Sequence, residues 1–410
     1  MRSYKITIST LVRYLIFLYI FILVTSVSTG TIQVKIIRVL LAVGILTYIL
    51  TRKGFKPTFY ISWAIVFALY NVIMIEFSPY KSYAIEDTIS LLYILVITMG
   101  ICFYIKRFNI VEGMMKAMII GTIVEAIVTF ARFGALVFLT ARYTAEGSAN
   151  TLGFYAAMSF IMSLILVARS KKGSNKHYLY LATAVACLCI TLLSGSRKAI
   201  VYIVVPIVVY WILRSKNPIK TFKNTIIAIA MVILTYYAIM HIPFMYNMLG
   251  RRVESMIAGF LGLETDASTK TRLRLIEAGL TWFRERPWTG YGLGGYNALN
   301  WIFRKSVYYA HNNYIELLVD CGLIGTIIYY WLYFKIIIKT VKNKLMDRKT
   351  KGILLGIMAC FIIGDYGMVS YSFAIYQLML MVMYMIASGD CIFSSTEAQI
   401  RPIVKKPLTF

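Results

Sequence analysis

Charge is scarce in this chain. Of 410 residues, 15% are Asp, Glu, Lys or Arg, whereas 60% are hydrophobic, a balance that excludes an ordinary soluble globule. Acid is scarcer still, with 17 Asp and Glu against 43 Lys and Arg, and there are three histidines. The six cysteines, Cys102, Cys187, Cys189, Cys321, Cys360 and Cys391, form no C-x-x-C pair and lie mostly inside apolar runs. They read as small buried hydrophobes, which leaves neither a disulfide framework nor a zinc site. Glu264 and Asp266, on either side of Thr265, read as a solvated loop cluster, so no metal is expected.

What fills the chain is apolar helix. Runs near 12–29, 33–50, 58–77, 88–105, 112–131, 150–168, 178–194, 198–213, 224–241, 313–334, 352–369 and 370–387 each approach the length that crosses a bilayer. In lipid, helices and closed barrels alone satisfy their backbone polar groups, and these runs have helical length. The expectation is one all-α, polytopic membrane domain over 1–410 with about twelve transmembrane helices. Residues 1–30 imitate a signal peptide, but the long run lacks a small-residue cleavage site and reads as the first helix. Asp365, Gly367 and Ser370 interrupt the last two runs, which leaves a re-entrant pair open there.

The formal charge of +26 reports topology rather than nucleic-acid binding, because its basic residues sit in short segments between spans. Arg52, Lys53 and Lys56, Lys106 and Arg107, the basic groups near 169–176, 214–223 and 335–351, and Arg401, Lys405 and Lys406 fall on alternate sides. Counting spans from a cytoplasmic N-terminus puts all of them inside, so both termini, including the tail 389–410, are expected in the cytoplasm. Two outer segments are long, 132–149 and above all 242–312, an extracytoplasmic loop between the ninth and tenth runs. A connection of that size among tight hairpins is usually functional. Within it, 271–286 has helical spacing (Leu273, Ile276, Leu280, Phe283) and ends at Pro287, as an amphipathic helix on the membrane surface would.

The residues that carry chemistry gather at 287–331, where this segment runs into an apolar span. His311 can accept a proton near neutral pH, although position alone leaves a capping or interfacial histidine open. Arg197 sits where two apolar runs meet and suits an anionic partner or a snorkelling headgroup contact. Arg272 and Arg274 add donors that could engage phosphate oxygens in a bidentate way. Gly290, Gly292, Gly294 and Gly295 follow no strand and so form no dinucleotide fingerprint; they permit tight turns and close backbone approach. Glu125 and Asp365 are intramembrane acids and therefore functional candidates, with no partner evident.

Together these residues resemble the O-antigen ligase/polymerase superfamily. Its H-[NSQ]-x9-G-x-x-[GTY] pattern is met by His311, Asn312, Gly322 and Gly325. Its arginine, amphipathic helix and P-x-x-G-x-G are met by Arg272, Pro287, Gly290 and Gly292. Its R-x3-L element is met at Arg197, with Val201 in place of leucine. The resemblance implies a cofactor-free membrane glycosyltransferase at the outer face of a bacterial cytoplasmic membrane. It would act on polyprenyl-pyrophosphate-linked oligosaccharide, with His311 as base and Arg197, Arg272 and Arg274 on the pyrophosphate. Flippase and chain-length regulator are the implied protein partners. A polymerase of capsule, exopolysaccharide or O-antigen is expected; the Lys-, Ile- and Tyr-rich composition hints at a low-GC genome and at the first two products. A ligase, or a transporter or flippase of carrier-linked glycan, are the alternatives.

Overall fold

A computed structural model describes residues 7–25, 32–51, 57–133, 149–215, 217–261, 267–305 and 309–391. Arg52, Lys53, Lys56, Glu264, Thr265, Asp266, most of 132–149 and the tail beyond 391 lie outside the described residues. Among the described residues every regular element is a helix. They are α1 (Ile8–Thr25), α2 (Ile32–Leu50), α3 (Phe59–Phe77), α4 (Lys81–Ile105), α5 (Val111–Phe133), α6 (Ala149–Arg169), α7 (Asn175–Leu193), α8 (Arg197–Leu213), α9 (Pro218–His241), α10 (Arg251–Phe260), α11 (Ala267–Glu285), α12 (Gly295–Arg304), α13 (Asn313–Lys342), α14 (Arg348–Asp365) and α15 (Ala374–Ser388).

Each of the twelve expected apolar runs falls on a helix among the described residues. Eight of the described helices are long and apolar enough to cross a membrane: α1, α3, α4, α5, α6, α7, α9 and α13. Of the other four runs, three are set apart by length or charge. α8 and α15 hold 17 and 15 residues, about 25 and 22 Å of helix against a hydrocarbon core of roughly 30 Å. α14 opens on Arg348, Lys349 and Lys351. Among its described residues the segment 242–312 holds α10 and α12 in addition to the helix expected near 271–286, which is α11. Helices of ten residues carry too few turns for their period to stand out in sequence.

Two cores hold the chain. The larger joins the spans, with α14 lying along α8, α6 along α7, and α1 between α2 and α5. Gly352 and Gly356 let α14 approach α8: a Cβ on Gly356 would stand 2.6 Å from the Cα of Pro206. Such small residues permit helices to close on one another in lipid, where the hydrophobic effect does not drive them together. The second core is small and stands at one end of α13. Leu275, Trp282, Tyr291, Tyr296, Leu299, Ala310, Ile315 and Val319 form it, so α11 and α12 are bound to the first turns of α13.

Candidate active site

The site is built around a break in α13. At Gly322 the backbone leaves the helix (φ 60, ψ −169), which strands amides and carbonyls that a continuous helix would pair. The loop 287–292 meets them. Tyr291 N and Gly292 N donate to the carbonyls of Val319 and Asp320 at 2.9 and 2.8 Å, and Leu323 N and Ile324 N donate to those of Pro287 and Trp288 at 2.8 and 3.2 Å. Two backbones this close leave no room for side chains between them. A Cβ on Gly322 would stand 2.4 Å from the carbonyl carbon of Trp288, and one on Gly290 would stand 2.5 Å from the Val319 oxygen. Gly325 is pressed against the Tyr70 ring, whose hydroxyl donates to the Cys321 carbonyl at 2.6 Å. Pro287, Gly290, Gly292 and Gly322, expected to shape the loop, meet at this backbone exchange, and Gly325, expected with them, packs one turn further along α13 against Tyr70.

A buried carboxylate extends this clasp. Asp320 accepts Tyr296 N at 2.7 Å, Gly294 N at 3.3 Å and the Tyr371 hydroxyl at 3.1 Å. It therefore closes the N-terminus of α12, where amides lack helical partners and an acidic group is favoured. A second carboxylate, Asp365 at the end of α14, receives the hydroxyls of Tyr330, Tyr333 and Ser370 and the amide of Asn313. The carbonyl oxygen of the Asn313 side chain accepts Ser370 N and Tyr371 N at 2.8 and 3.0 Å. Asn313, two residues after His311, consequently ties the start of α13 to the turn between α14 and α15.

His311 lies just before α13. Asn312 caps that helix by accepting Tyr314 N and Ile315 N at 3.0 and 3.2 Å. His311 itself has a positive φ of 54°, a left-handed conformation that costs a non-glycine residue about 1–2 kcal/mol. Its ring lies 4.0 Å from that of Tyr309, centre to centre. Burial, and then the positive charges of Arg272 and Lys198, push its proton affinity down to a pKa of about 4. The imidazole is therefore neutral at physiological pH. Lys198 comes from the first turn of α8 and donates to the carbonyl of Gly367. No side chain at Gly367 stands in its way: a Cβ there would meet Lys198 Cε at 2.7 Å.

The expected site residues separate into those that converge and those that do not. Arg272 from α11 reaches the electrostatic environment of His311. Arg197 is the first residue of α8, next to Lys198. Arg274 is exposed, and its carbonyl accepts the Arg304 guanidinium at 2.9 Å. Asp365 gains the partners that the sequence left open, whereas Glu125 is buried on α5, in the helical layer with α1, α6 and α7. Lys198, Tyr309, Glu316 and Asp320 escaped the sequence reading. Glu316 and Asp320 were visible as two acids one helical turn apart inside an apolar run, the same signal that marked Glu125 and Asp365.

Residues 182–330 match the O-antigen ligase family. Over this segment the match supports the O-antigen ligase/polymerase superfamily that the motifs resemble. The matched segment begins in α7 and ends in α13, so it contains Arg197, Lys198, Arg272, the glycine loop and His311, while Asp365 and Gly367 lie beyond it. A match to this family implies a membrane enzyme like a glycosyltransferase. No curated protein matches the chain.

Proposed function

We propose that this chain is a polysaccharide polymerase, joining polyprenyl-pyrophosphate-linked repeat units at the outer face of the cytoplasmic membrane, with capsule or exopolysaccharide as product. The observation that carries the reading is a neutral imidazole, His311, beside two cations delivered by separate helices, Arg272 on α11 and Lys198 on α8. In the reaction, an acceptor hydroxyl oxygen attacks the anomeric carbon of the donor while the bond from that carbon to the pyrophosphate oxygen breaks on the opposite face. The configuration inverts. The hydroxyl proton passes to His311, and the electron pair leaves with polyprenyl pyrophosphate, whose charge rests against Arg272, Lys198 and the neighbouring Arg197. Cations placed where negative charge develops lower the barrier for the leaving group.

Donor binding also sets the strength of the base. Burial first, and then Arg272 and Lys198, hold the imidazole pKa low, so a bound anion that offsets the charge of the two cations raises it in part. His311 then becomes a better base only when there is a donor to attack.

The test uses purified enzyme in nanodiscs with a polyprenyl-pyrophosphate-linked repeat unit. His311→Ala is expected to bind donor with unchanged affinity and to lose about 10²–10⁴-fold in turnover. A wild-type rate in that variant removes His311 from the chemistry. A ladder of products spaced by one repeat marks a polymerase, and a single transfer of finished glycan marks a ligase.

The same proposal puts 242–312 outside the cell and the α13–α14 connection inside, in keeping with the basic residues around the latter. In a cysteine-free background, a cysteine at Lys270 is expected to react with an impermeant thiol reagent in intact cells, and one at Leu345 only after lysis. Both positions are exposed. The opposite pattern inverts the topology.

A further inference from the structure

Glu316 is a buried acid near His311 that the chemistry above does not use. It is buried at 4% exposure, within the small core formed by residues such as Leu275, Tyr296 and Ile315. A carboxyl group in such a place is costly unless it is hydrogen-bonded, and a leucine would fill the space at no such cost. Its partner is specific: Glu316 Oε2 accepts the backbone amide of Ala310 at 2.8 Å, the residue immediately before His311. Glu316 is anchored in turn, because its own amide donates to the carbonyl of Asn312 at 3.0 Å. The side chain and the first helical turn thus close a ring around His311 and Asn312. Inside that ring His311 adopts its positive φ of 54°, a conformation that a chain free at one end would leave.

We infer that Glu316 is the positioning residue of His311: by clasping the Ala310 amide it fixes the backbone from which the imidazole projects toward Tyr309, Arg272 and Lys198. The inference rests on the reading of His311 as the base. Two features separate this role from packing. The bond reaches across exactly one short loop, so a carboxyl drawn back by one methylene loses it while burying nearly the same surface. Asp320, one turn further along α13, is committed elsewhere, to the amides of Gly294 and Tyr296, and does not substitute for it.

The experiment compares Glu316→Asp and Glu316→Gln in full-length enzyme in nanodiscs. Three measurements are taken: donor affinity, single-turnover rate with the carrier-linked repeat unit, and the imidazole resonances of ¹³C-histidine-labelled protein. The chain has three histidines, His177, His241 and His311, so the resonance missing from His311→Ala identifies the third. Glu316→Asp is expected to keep donor affinity, to lose about 10²-fold in rate through misplacement of the base, and to move the His311 resonance. Glu316→Gln, whose amide oxygen still accepts from Ala310, is expected to match the wild type in all three. A Glu316→Asp enzyme with wild-type rate and an unmoved His311 resonance overturns the inference. So does a Glu316→Gln enzyme that is slow while its His311 resonance is unmoved, and this arm stands even where the Asp variant does not fold. Polymer formation by His311→Ala would instead overturn the base assignment, and the resonance shift in Glu316→Asp would still report whether the clasp positions the ring.

Discussion

The two buried carboxylates on either side of the site, Asp320 and Asp365, have similar numbers of partners and different kinds. Asp320 receives two backbone amides and a tyrosine hydroxyl, whereas Asp365 receives three hydroxyls and a side-chain amide. A backbone amide in a fixed loop has nowhere else to turn. A hydroxyl can rotate, and Tyr333 already has Tyr329 at 3.5 Å as a second partner. Asn313 moreover holds the turn beside Asp365 by its own bonds to Ser370 N and Tyr371 N. Asp320 therefore determines whether the loop and α12 are in place at all. Asp365 trims the position of the turn that carries Gly367 and, through its carbonyl, Lys198.

The sharpest way to break the Asp320 side is to attack the backbone lattice beneath it. Gly322→Val puts a branched side chain where a Cβ alone stands 2.4 Å from the Trp288 carbonyl, in a backbone conformation with φ 60° that valine resists. The expected loss exceeds about 4 kcal/mol, and size-exclusion chromatography should show no folded protein. Monodisperse, active protein would mean that the loop and the break in α13 do not interlock as described.

Asp320→Ala and Asp365→Ala test the comparison directly. The first leaves two amides and a hydroxyl unmet, at about 1–3 kcal/mol for each buried group, and thermal unfolding in detergent should fall steeply. The second is expected to cost about 1–3 kcal/mol in total, because its hydroxyl partners find others. It should weaken donor affinity through Lys198 more than it lowers the yield of protein. Equal losses of stability in the two variants would erase the distinction between amide and hydroxyl partners.

Much of this arrangement was legible in the sequence, for reasons that the structure makes concrete. Gly290 and Gly292 stood out as glycines of a tight turn, and Pro287, Gly322 and Gly325 through the family pattern they meet; the sequence did not say that the two glycine groups meet each other, with backbone against backbone at Gly290 and Gly322. His311 was legible as a histidine beside a helix start. Lys198 was hidden by its neighbour Arg197, since the sequence alone does not say that the first turn of α8 brings a lysine to the carbonyl of Gly367. Glu316 was passed over because an acid in a first helical turn is ordinary, and Asp320 because it follows one turn later where the apolar span begins. The segment 242–312 read as one loop around one helix, whereas α10 and α12 hold only ten residues each. Their hydrophobic faces acquire meaning only against α11 and α13.

The central claim is that His311 is a neutral base whose strength the donor controls through Arg272 and Lys198. Its most direct test is a pH titration of the His311 imidazole resonance in nanodisc-embedded enzyme, with and without polyprenyl pyrophosphate. The account predicts a pKa of about 4 in the free enzyme and an upward shift when the anion binds, since losing nearby positive charge stabilises the imidazolium. Arg272→Gln should raise the value without any ligand, for the same reason. A free-enzyme pKa at the ordinary 6.5, unmoved by polyprenyl pyrophosphate, would contradict it.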